Sequence, residues 1–277
     1  MINQDEAPTS ISRVSVESTE TPDLSIDSVV VEEPLEIRIS RAGIEEQLGI
    51  TMRTPGADIE LASGFLWGEG FLTSPDQLLG VKSCANRSLT ARQRANIVIA
   101  EISRDAPPIP RGLERRFTMN SACGVCGSTS ITDLHKRGIS PVESTSHSLQ
   151  TLAWMPELLV GHQTIFNRTG GLHAALLVNL KNEMKWVRED VGRHNAVDKV
   201  IGAALISKKV PLAGWTLVVS GRVGYEIVQK AIVAGISALV GVSAPTSLAI
   251  ELANEFNLAL VAFARNGKAK QYWPLLG

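Results

Sequence analysis

A chain of 277 residues with 27 basic and 28 acidic side chains, a net charge of -1 and 44% hydrophobic residues carries the apolar material for one large or two modest cores. That balance argues against the broad basic footprint of a nucleic-acid binder, and 3 cysteines without an arginine-started apolar leader argue against a disulfide framework or secretion, so the cytoplasm is expected. A charge-free window at residues 231–250 is long enough for a bilayer. Its serines, Pro245, Thr246 and two glycines instead predict helix, strand and turn in a buried layer, with no membrane role.

In chain order, residues 1–27 are rich in Ser, Thr, Asp and Glu, hold one arginine, Arg13, and show no period, which predicts a solvated acidic tail. Apolar alternation in Val29-Val30-Val31, Leu35-Glu36-Ile37-Arg38-Ile39 and Leu48-Gly49-Ile50-Thr51-Met52 predicts successive strands, with Pro34 at an edge or bulge. Thr54-Pro55-Gly56 makes a turn, and Asp58 is placed to cap a helix with Ile59, Leu61, Ala62, Phe65 and Leu66 on one face, ended by Gly68-Glu69-Gly70. Strands follow at residues 78–83 and 96–102, then a proline-rich connection at 104–112. Beyond the cysteines the pattern predicts a helix at 128–136 and a helical segment turning Leu158, Leu159, His162, Ile165 and Phe166 inward. A hairpin of strands 172–180 and 184–187 comes next, then a helix with Val197, Val200, Ile201, Ala204 and Leu205 on its buried stripe. Residues 217–263 alternate strand and helix, a βαβαβ pattern that requires a parallel sheet with right-handed crossovers.

Two thiols stand together in Ser121-Ala122-Cys123-Gly124-Val125-Cys126-Gly127, flanked by glycines that permit a tight turn and leave both sulfurs accessible. Such a pair can share a metal, exchange disulfides or pass a sulfur atom. A structural zinc is under-supplied with ligands, since Cys84 is alone and His135 is a poor fourth candidate. A thioredoxin-like motif follows the first strand of a βαβ unit, whereas Glu114-Arg115-Arg116-Phe117-Thr118 precedes this one. From the CxxC alone, metal or disulfide chemistry ranks ahead of persulfide transfer.

Small and polar residues follow each strand of the βαβαβ unit: Ser220-Gly221-Arg222, Ser243-Ala244-Pro245-Thr246 and Arg265-Asn266-Gly267-Lys268. All must emerge at the carboxyl edge of one sheet, where open α/β sheets bind ligands, and the first two open helices whose free N–H groups suit an anion. With Arg222, Arg265 and Lys268 adding positive charge, the edge suits a phosphate-bearing ligand such as a nucleotide. The same residue types also serve as plain turn and cap residues. The octet Arg188-Glu189-Asp190-Val191-Gly192-Arg193-His194-Asn195 reads as an acid/base cluster, a metal site or, more simply, a helix start where carboxylates satisfy N–H groups. His173 and His162 read as core histidines, His135 and His147 as surface ones.

These motifs together resemble the FdhD family of formate dehydrogenase accessory sulfurtransferases. The likeness runs from about Val29 to the C-terminus through Arg53-Thr54-Pro55-Gly56-Ala57-Asp58, Gly64-Phe65-Leu66 with Glu69-Gly70, the CxxC, Thr169-Gly170-Gly171-Leu172-His173-Ala174, the run from Glu189 to Lys199, Ser220-Gly221-Arg222 with Glu226 and Lys230, and Ser243-Ala244-Pro245-Thr246. The resemblance implies an α/β fold, a layered core similar to cytidine deaminases over residues 113–277 with a smaller β-rich domain over 28–112. The deaminase reaction itself is disfavoured, because the His-x-Glu and Pro-Cys-x-x-Cys pairing it needs is absent.

It further implies a homodimeric sulfur carrier that accepts sulfur from a cysteine desulfurase as a persulfide. The sulfur then passes to the molybdenum bis(molybdopterin guanine dinucleotide) cofactor, bound as a substrate, for formate dehydrogenase. Cys123 corresponds to the persulfide cysteine and Cys126 to its companion, while Phe263-Ala264-Arg265-Asn266-Gly267-Lys268 corresponds to a cofactor contact. With Ser220, Gly221, Arg222, Ser243, Thr246 and His194, these residues form the expected cofactor site, for which guanosine diphosphate is a mimic, and no metal site of the protein's own is expected. Two other readings stay open: a chaperone that only holds the cofactor, and a thiol-disulfide or zinc CxxC protein.

Overall fold

The computed structural model describes residues 9–16, 24–109, 131–179 and 181–274. From the N-terminus, β1 (Ile11–Val16) and β2 (Ser25–Val30) pair antiparallel in a ladder of their own. β3 (Glu33–Arg41), β4 (Ile44–Arg53), β5 (Leu78–Ser83) and β6 (Ile97–Ile102) form a sheet in the order β4-β3-β6-β5, its connections holding α1 (Asp58–Glu69) and the short α2 (Ala91–Ala95). α3 (Ile131–Lys136), α4 (Leu149–Trp154), a 3-10 turn (Met155–Leu159) and α5 (Phe166–Thr169) then lead to β7 (His173–Val178) and β8 (Met184–Asp190). The remainder alternates α6 (Arg193–Ile206), β9 (Thr216–Val219), α7 (Tyr225–Val233), β10 (Ala238–Gly241), α8 (Ser247–Glu255), β11 (Ala259–Arg265) and β12 (Lys268–Trp273). These strands build a six-stranded sheet in the order β12-β11-β10-β9-β7-β8, with β9, β10 and β11 parallel and the outer strands antiparallel to their neighbours.

Alternation along these strands decides what covers each face. Ala175, Leu177, Leu217, Val219, Leu239 and Leu260 point into a core shared with α6, α7 and α8, and the same core runs on through α1 to Leu35, Ile37 and Ile39 of the other sheet. Ala174, Leu176, Val178, Val218, Val240 and Val261 point the other way, onto Leu152, Met155 and Leu159 from α4 and the 3-10 turn. Burying both faces requires the near-continuous apolar runs that the parallel strands carry. Between the sheets, α1 and α6 touch backbone to backbone: a Cβ on Gly64 would lie 1.9 Å from the Asp198 carbonyl oxygen, and one on Gly202 1.8 Å from that of Glu60. Only glycine fits at either position.

The 231–250 window resolves into the end of α7, β10 and the start of α8, and among the described residues no helix is long and apolar enough to cross a membrane. Several expectations are corrected. The acidic N-terminal stretch contains β1 and the start of β2; spaced apolar residues and a partner strand supply what its composition does not. Asp58 does not cap α1: Ala57 takes the cap position at φ 56°, and the Asp58 carboxylate instead receives Arg53 Nε at 2.9 Å and Nη2 at 3.0 Å. Pro34 sits in the central strand β3, tolerated because the parallel ladder to β6 begins only at Glu36. His162 and Phe166 are exposed, because the chain between Met155 and Thr169 is a 3-10 turn and a short helix and not one continuous helix. Ile59 also faces outward. β12, absent from the sequence expectation, closes the sheet at one edge.

Candidate ligand site at the carboxyl edge

The first two loops after the parallel strands are stitched together, and the second reaches the end of β11. Val223 N–H donates to the Ala244 carbonyl at 3.0 Å, Thr246 N–H donates back to Val223 at 3.0 Å, and Phe263 N–H donates to Ser243 at 3.3 Å. On the other side Ser220 N–H donates to the Ala174 carbonyl at 3.0 Å, and Ala174 N–H donates to Ser220 Oγ at 2.8 Å. Because β7 runs antiparallel to β9, its first residue, His173, reaches the same edge, and His173 is paired with Asp190 at the end of β8. The Thr169–Ala174 and Glu189–Lys199 motifs therefore meet the Ser220-Gly221-Arg222 loop in space. The loop passes close to both motifs at Gly221, where a Cβ would stand 3.2 Å from His173 Nδ1 and 3.6 Å from Arg193 Cβ.

Two helices start at this edge on glycine: α6 is capped by Gly192 and α7 by Gly224, neither with a side-chain cap. The cations Arg193 and Arg222 stand near these starts, an arrangement of donors and cations that suits phosphate oxygens. Burial, reinforced by Arg193, His194 and Arg222 and opposed by Asp190, pushes the His173 imidazole below its ordinary 6.5. His173 is thus a half-buried neutral ring at the floor of a cationic patch and not the interior residue that its strand position predicts. α8, by contrast, is closed by Thr246, whose hydroxyl accepts from Ala249 N–H at 3.3 Å, so Thr246 serves as a cap.

The octet divides into two roles. Buried Asp190 bonds buried Lys199 at 2.7 Å and accepts from Gly192 N–H at 2.8 Å, Asn195 Nδ2 at 3.0 Å and Thr54 N–H at 3.2 Å. Lys199 Nζ also donates to the Thr54 carbonyl at 3.0 Å, and Asn195 Nδ2 to that of Met52 at 2.8 Å. This part is structural: it clamps the Arg53–Asp58 turn against α6. Glu189 accepts from Ile165 and Phe166 N–H at 3.0 and 2.8 Å, opening α5. Arg193 and His194 remain at the edge.

His194 Nε2 lies 2.8 Å from Glu226 Oε2, joining the first turns of α6 and α7. One turn further in, buried Lys230 lies 2.9 Å from Asp198 and 3.2 Å from Glu69. Burial pushes Asp198 up to about 6 against the pull of Lys230. Lys230, although burial opposes its charge, is held above its ordinary range by Asp198 and Glu69. The cluster joins α1, α6 and α7. His194 and Asp198, like Glu226 and Lys230, are four residues apart, a helical spacing that marks the pairs in the sequence; which helices face each other is not marked there.

The last loop is a tight hairpin turn between β11 and β12. Asn266 and Gly267 both have positive φ, 51° and 70°, the Asn-Gly signature of a two-residue hairpin. Asn266 N–H donates to Glu157 Oε1 at 2.9 Å, and Gly267 is overlaid by Trp154 so closely that a Cβ would stand 2.4 Å from the ring. Trp154 and Glu157, unmarked in the sequence, thus hold the turn that carries Arg265 and Lys268. Phe263, at φ 52°, is a bulky residue in the left-handed region and is 44% exposed, with Lys270 Nζ 5.1 Å from its ring centroid. Exposed aromatic surface on strained backbone is a feature of binding positions.

Cys123 and Cys126 lie outside the described residues. Cys84, the only cysteine among the described residues, is buried against Ile97, Ile99 and Leu89. Among the described residues no group of three or more His, Cys, Asp or Glu is arranged to hold a metal.

A family model described as "FdhD/NarQ family" matches residues 30–274. The chain belongs to the FdhD/NarQ family. Its curated FdhD relatives include the sulfur carrier protein of Streptomyces avermitilis, 42% identical over 249 residues, covering 89% of this chain and 87% of the other. The sulfur carrier proteins of Mycobacterium tuberculosis and Saccharolobus solfataricus are each 41% identical, with 89% of this chain covered and 90% and 89% of theirs. The FdhD/NarQ fold is also matched by the crystal structure of a candidate formate dehydrogenase accessory protein from Desulfotalea psychrophila, with a TM-score of 0.70, 20% identity and 95% of each chain covered.

Proposed function

We propose that this chain is a sulfur carrier in formate dehydrogenase maturation. In this reading Cys123 accepts the terminal sulfur of a desulfurase persulfide, so that a new S–S bond forms at Cys123 as the donor bond breaks and the desulfurase thiol is released. The sulfur is destined for a molybdenum bis(molybdopterin guanine dinucleotide) substrate held at the carboxyl edge. The observation that carries the reading is the convergence of Arg193, His194, Arg222 and two glycine-capped helix starts at one sheet edge, in a chain of the FdhD/NarQ family. Phosphates meet the helix starts and arginines, and the exposed Phe263 is available to stack on a base. Binding and sulfur transfer then reside in separable parts of the protein.

The test is intact-mass spectrometry after incubation with a cysteine desulfurase and cysteine, paired with calorimetric titration of guanosine diphosphate. The wild type gains one reducible sulfur, Cys123→Ala gains none yet binds the nucleotide normally, and Arg222→Ala keeps the sulfur and loses nucleotide affinity. Absence of a sulfur adduct in every form overturns the carrier reading.

A further inference from the structure

Glu226 meets no ligand in the reading above, yet its carboxylate lies 2.8 Å from the ring of His194, the histidine placed among the cationic groups of the edge. The hydrogen bond from His194 holds the Glu226 carboxyl below its ordinary range, helped by the charges of Lys230 and Arg193 and opposed by burial. Glu226 is therefore an anion, and a carboxylate only accepts. The hydrogen between the two groups must belong to His194 Nε2, whatever the charge of the ring. A histidine tautomer is set by the bond that its other nitrogen makes, so the position of Glu226 leaves Nδ1 as the ring atom available to anything else.

We infer that Glu226 is a positioning residue of the carboxyl-edge site: it locks His194 with Nε2–H donated inward and Nδ1 left as an acceptor for a hydroxyl or N–H group of the nucleotide. The inference rests on the nucleotide reading for the identity of the ligand, and on the His194–Glu226 geometry for the lock. The surroundings support a fixed orientation. His194 and Glu226 lie in the first turns of adjacent helices, and their side chains are only 17% and 35% exposed. Four residues on from each, Asp198 and Lys230 bond at 2.9 Å and tie the same two helices together. His173 from β7 and Asp198 from the next turn of α6 also lie near this ring. Glu226 is the carboxylate in direct contact with the ring, at 2.8 Å, and so the acceptor that holds it still.

The experiment uses the full chain labelled with 15N-histidine, its His194 resonances assigned with His194→Gln. Two-bond proton–nitrogen spectra of the wild type should show hydrogen on Nε2, and addition of magnesium guanosine diphosphate should shift Nδ1 far more than Nε2. Glu226→Gln retains an acceptor oxygen and should keep the tautomer. Glu226→Ala should release the ring into mixed tautomers and weaken nucleotide binding about fivefold, the effect of one lost hydrogen bond. Unfolding curves separate this from misfolding, since a merely structural role lowers the melting temperature without exchanging tautomers. An Nδ1–H tautomer in the wild type, or a Glu226→Ala protein with unchanged tautomer and affinity, overturns the proposal. A Glu226-dependent Nε2–H tautomer in a wild type that binds no nucleotide supports the lock and overturns the nucleotide reading instead.

Discussion

Asp190 and Lys199, nine residues apart along the chain and both buried, are joined at 2.7 Å beneath the turn that leads from β4 into α1. The pair is fully partnered: Asp190 takes three further N–H or amide donors, and Lys199 two backbone carbonyls. Removing one member strands a charge out of water, which costs about 3–5 kcal/mol. Lys199→Met should therefore lower the unfolding free energy by that order in urea titrations. A loss below about 1 kcal/mol would mean that water reaches the site.

The α1–α6 contact should be as intolerant as its geometry implies. A methyl group at Gly202 would overlap the Glu60 carbonyl, and both partners are helix backbone that cannot rotate aside. Gly202→Ala is expected to destabilise by about 3 kcal/mol or more, at the upper end of overpacking effects. Gly80→Ala in β5, where a Cβ meets nothing within 4 Å, is the control and should change stability by less than about 1 kcal/mol. Thermal melts of the two variants decide the matter.

The β11–β12 turn should respond to residues that never reach the ligand. Glu157→Ala removes the acceptor of Asn266 N–H from a solvent-facing position, so stability should change by no more than about 1 kcal/mol. Guanosine diphosphate affinity should nevertheless fall about fivefold, because the turn that carries Arg265 and Lys268 loses an anchor. Gly267→Ala should do at least as much harm, through the Trp154 clash and a φ of +70°. Equal affinity in all three proteins by calorimetry would exclude this turn from the site.

Stability should fall as the solution becomes acidic below the ordinary histidine value of 6.5, with His173 as one source. Its folded ring resists protonation, so between 6.5 and the lower folded value the unfolded chain binds the extra proton. Stability therefore rises with pH across that window and is flat, from this group, above it. His173→Gln removes the titration and should flatten the slope in urea unfolding measured from pH 5 to 8; an unchanged slope assigns it to other groups.

Local periodicity revealed most strands and the helices of the C-terminal half, because a two-residue or near-four-residue repeat of apolar side chains needs only neighbours in sequence to be recognised. It failed at His162 and Phe166, where apolar residues at helical spacing are crossed by Pro156 and Gly161, and at β1, whose partner strand and not its own composition makes it a strand. The Asn266-Gly267 signal for β12 was present and legible; its flanking KAKQYW segment is polar on one face because it is an edge strand. The candidate loops were also legible, since any strand of a parallel sheet must deliver its following loop to the same edge.

What the sequence determined by itself is the alternation of strand and helix and the common edge of the loops, both of which follow from residue type and spacing. Only the tertiary structure decided how the Glu189–Lys199 run divides. Asp190, Asn195 and Lys199 turn inward to hold a loop more than 130 residues earlier in the chain, whereas His194 stays at the sheet edge against Glu226. It alone set Glu226 against His194, and Trp154 and Glu157 behind the hairpin. The physical reason is that a polar side chain's role depends on which donor, acceptor or charge lies within about 3 Å of it, and that distance is set by the packing of helices far apart in sequence.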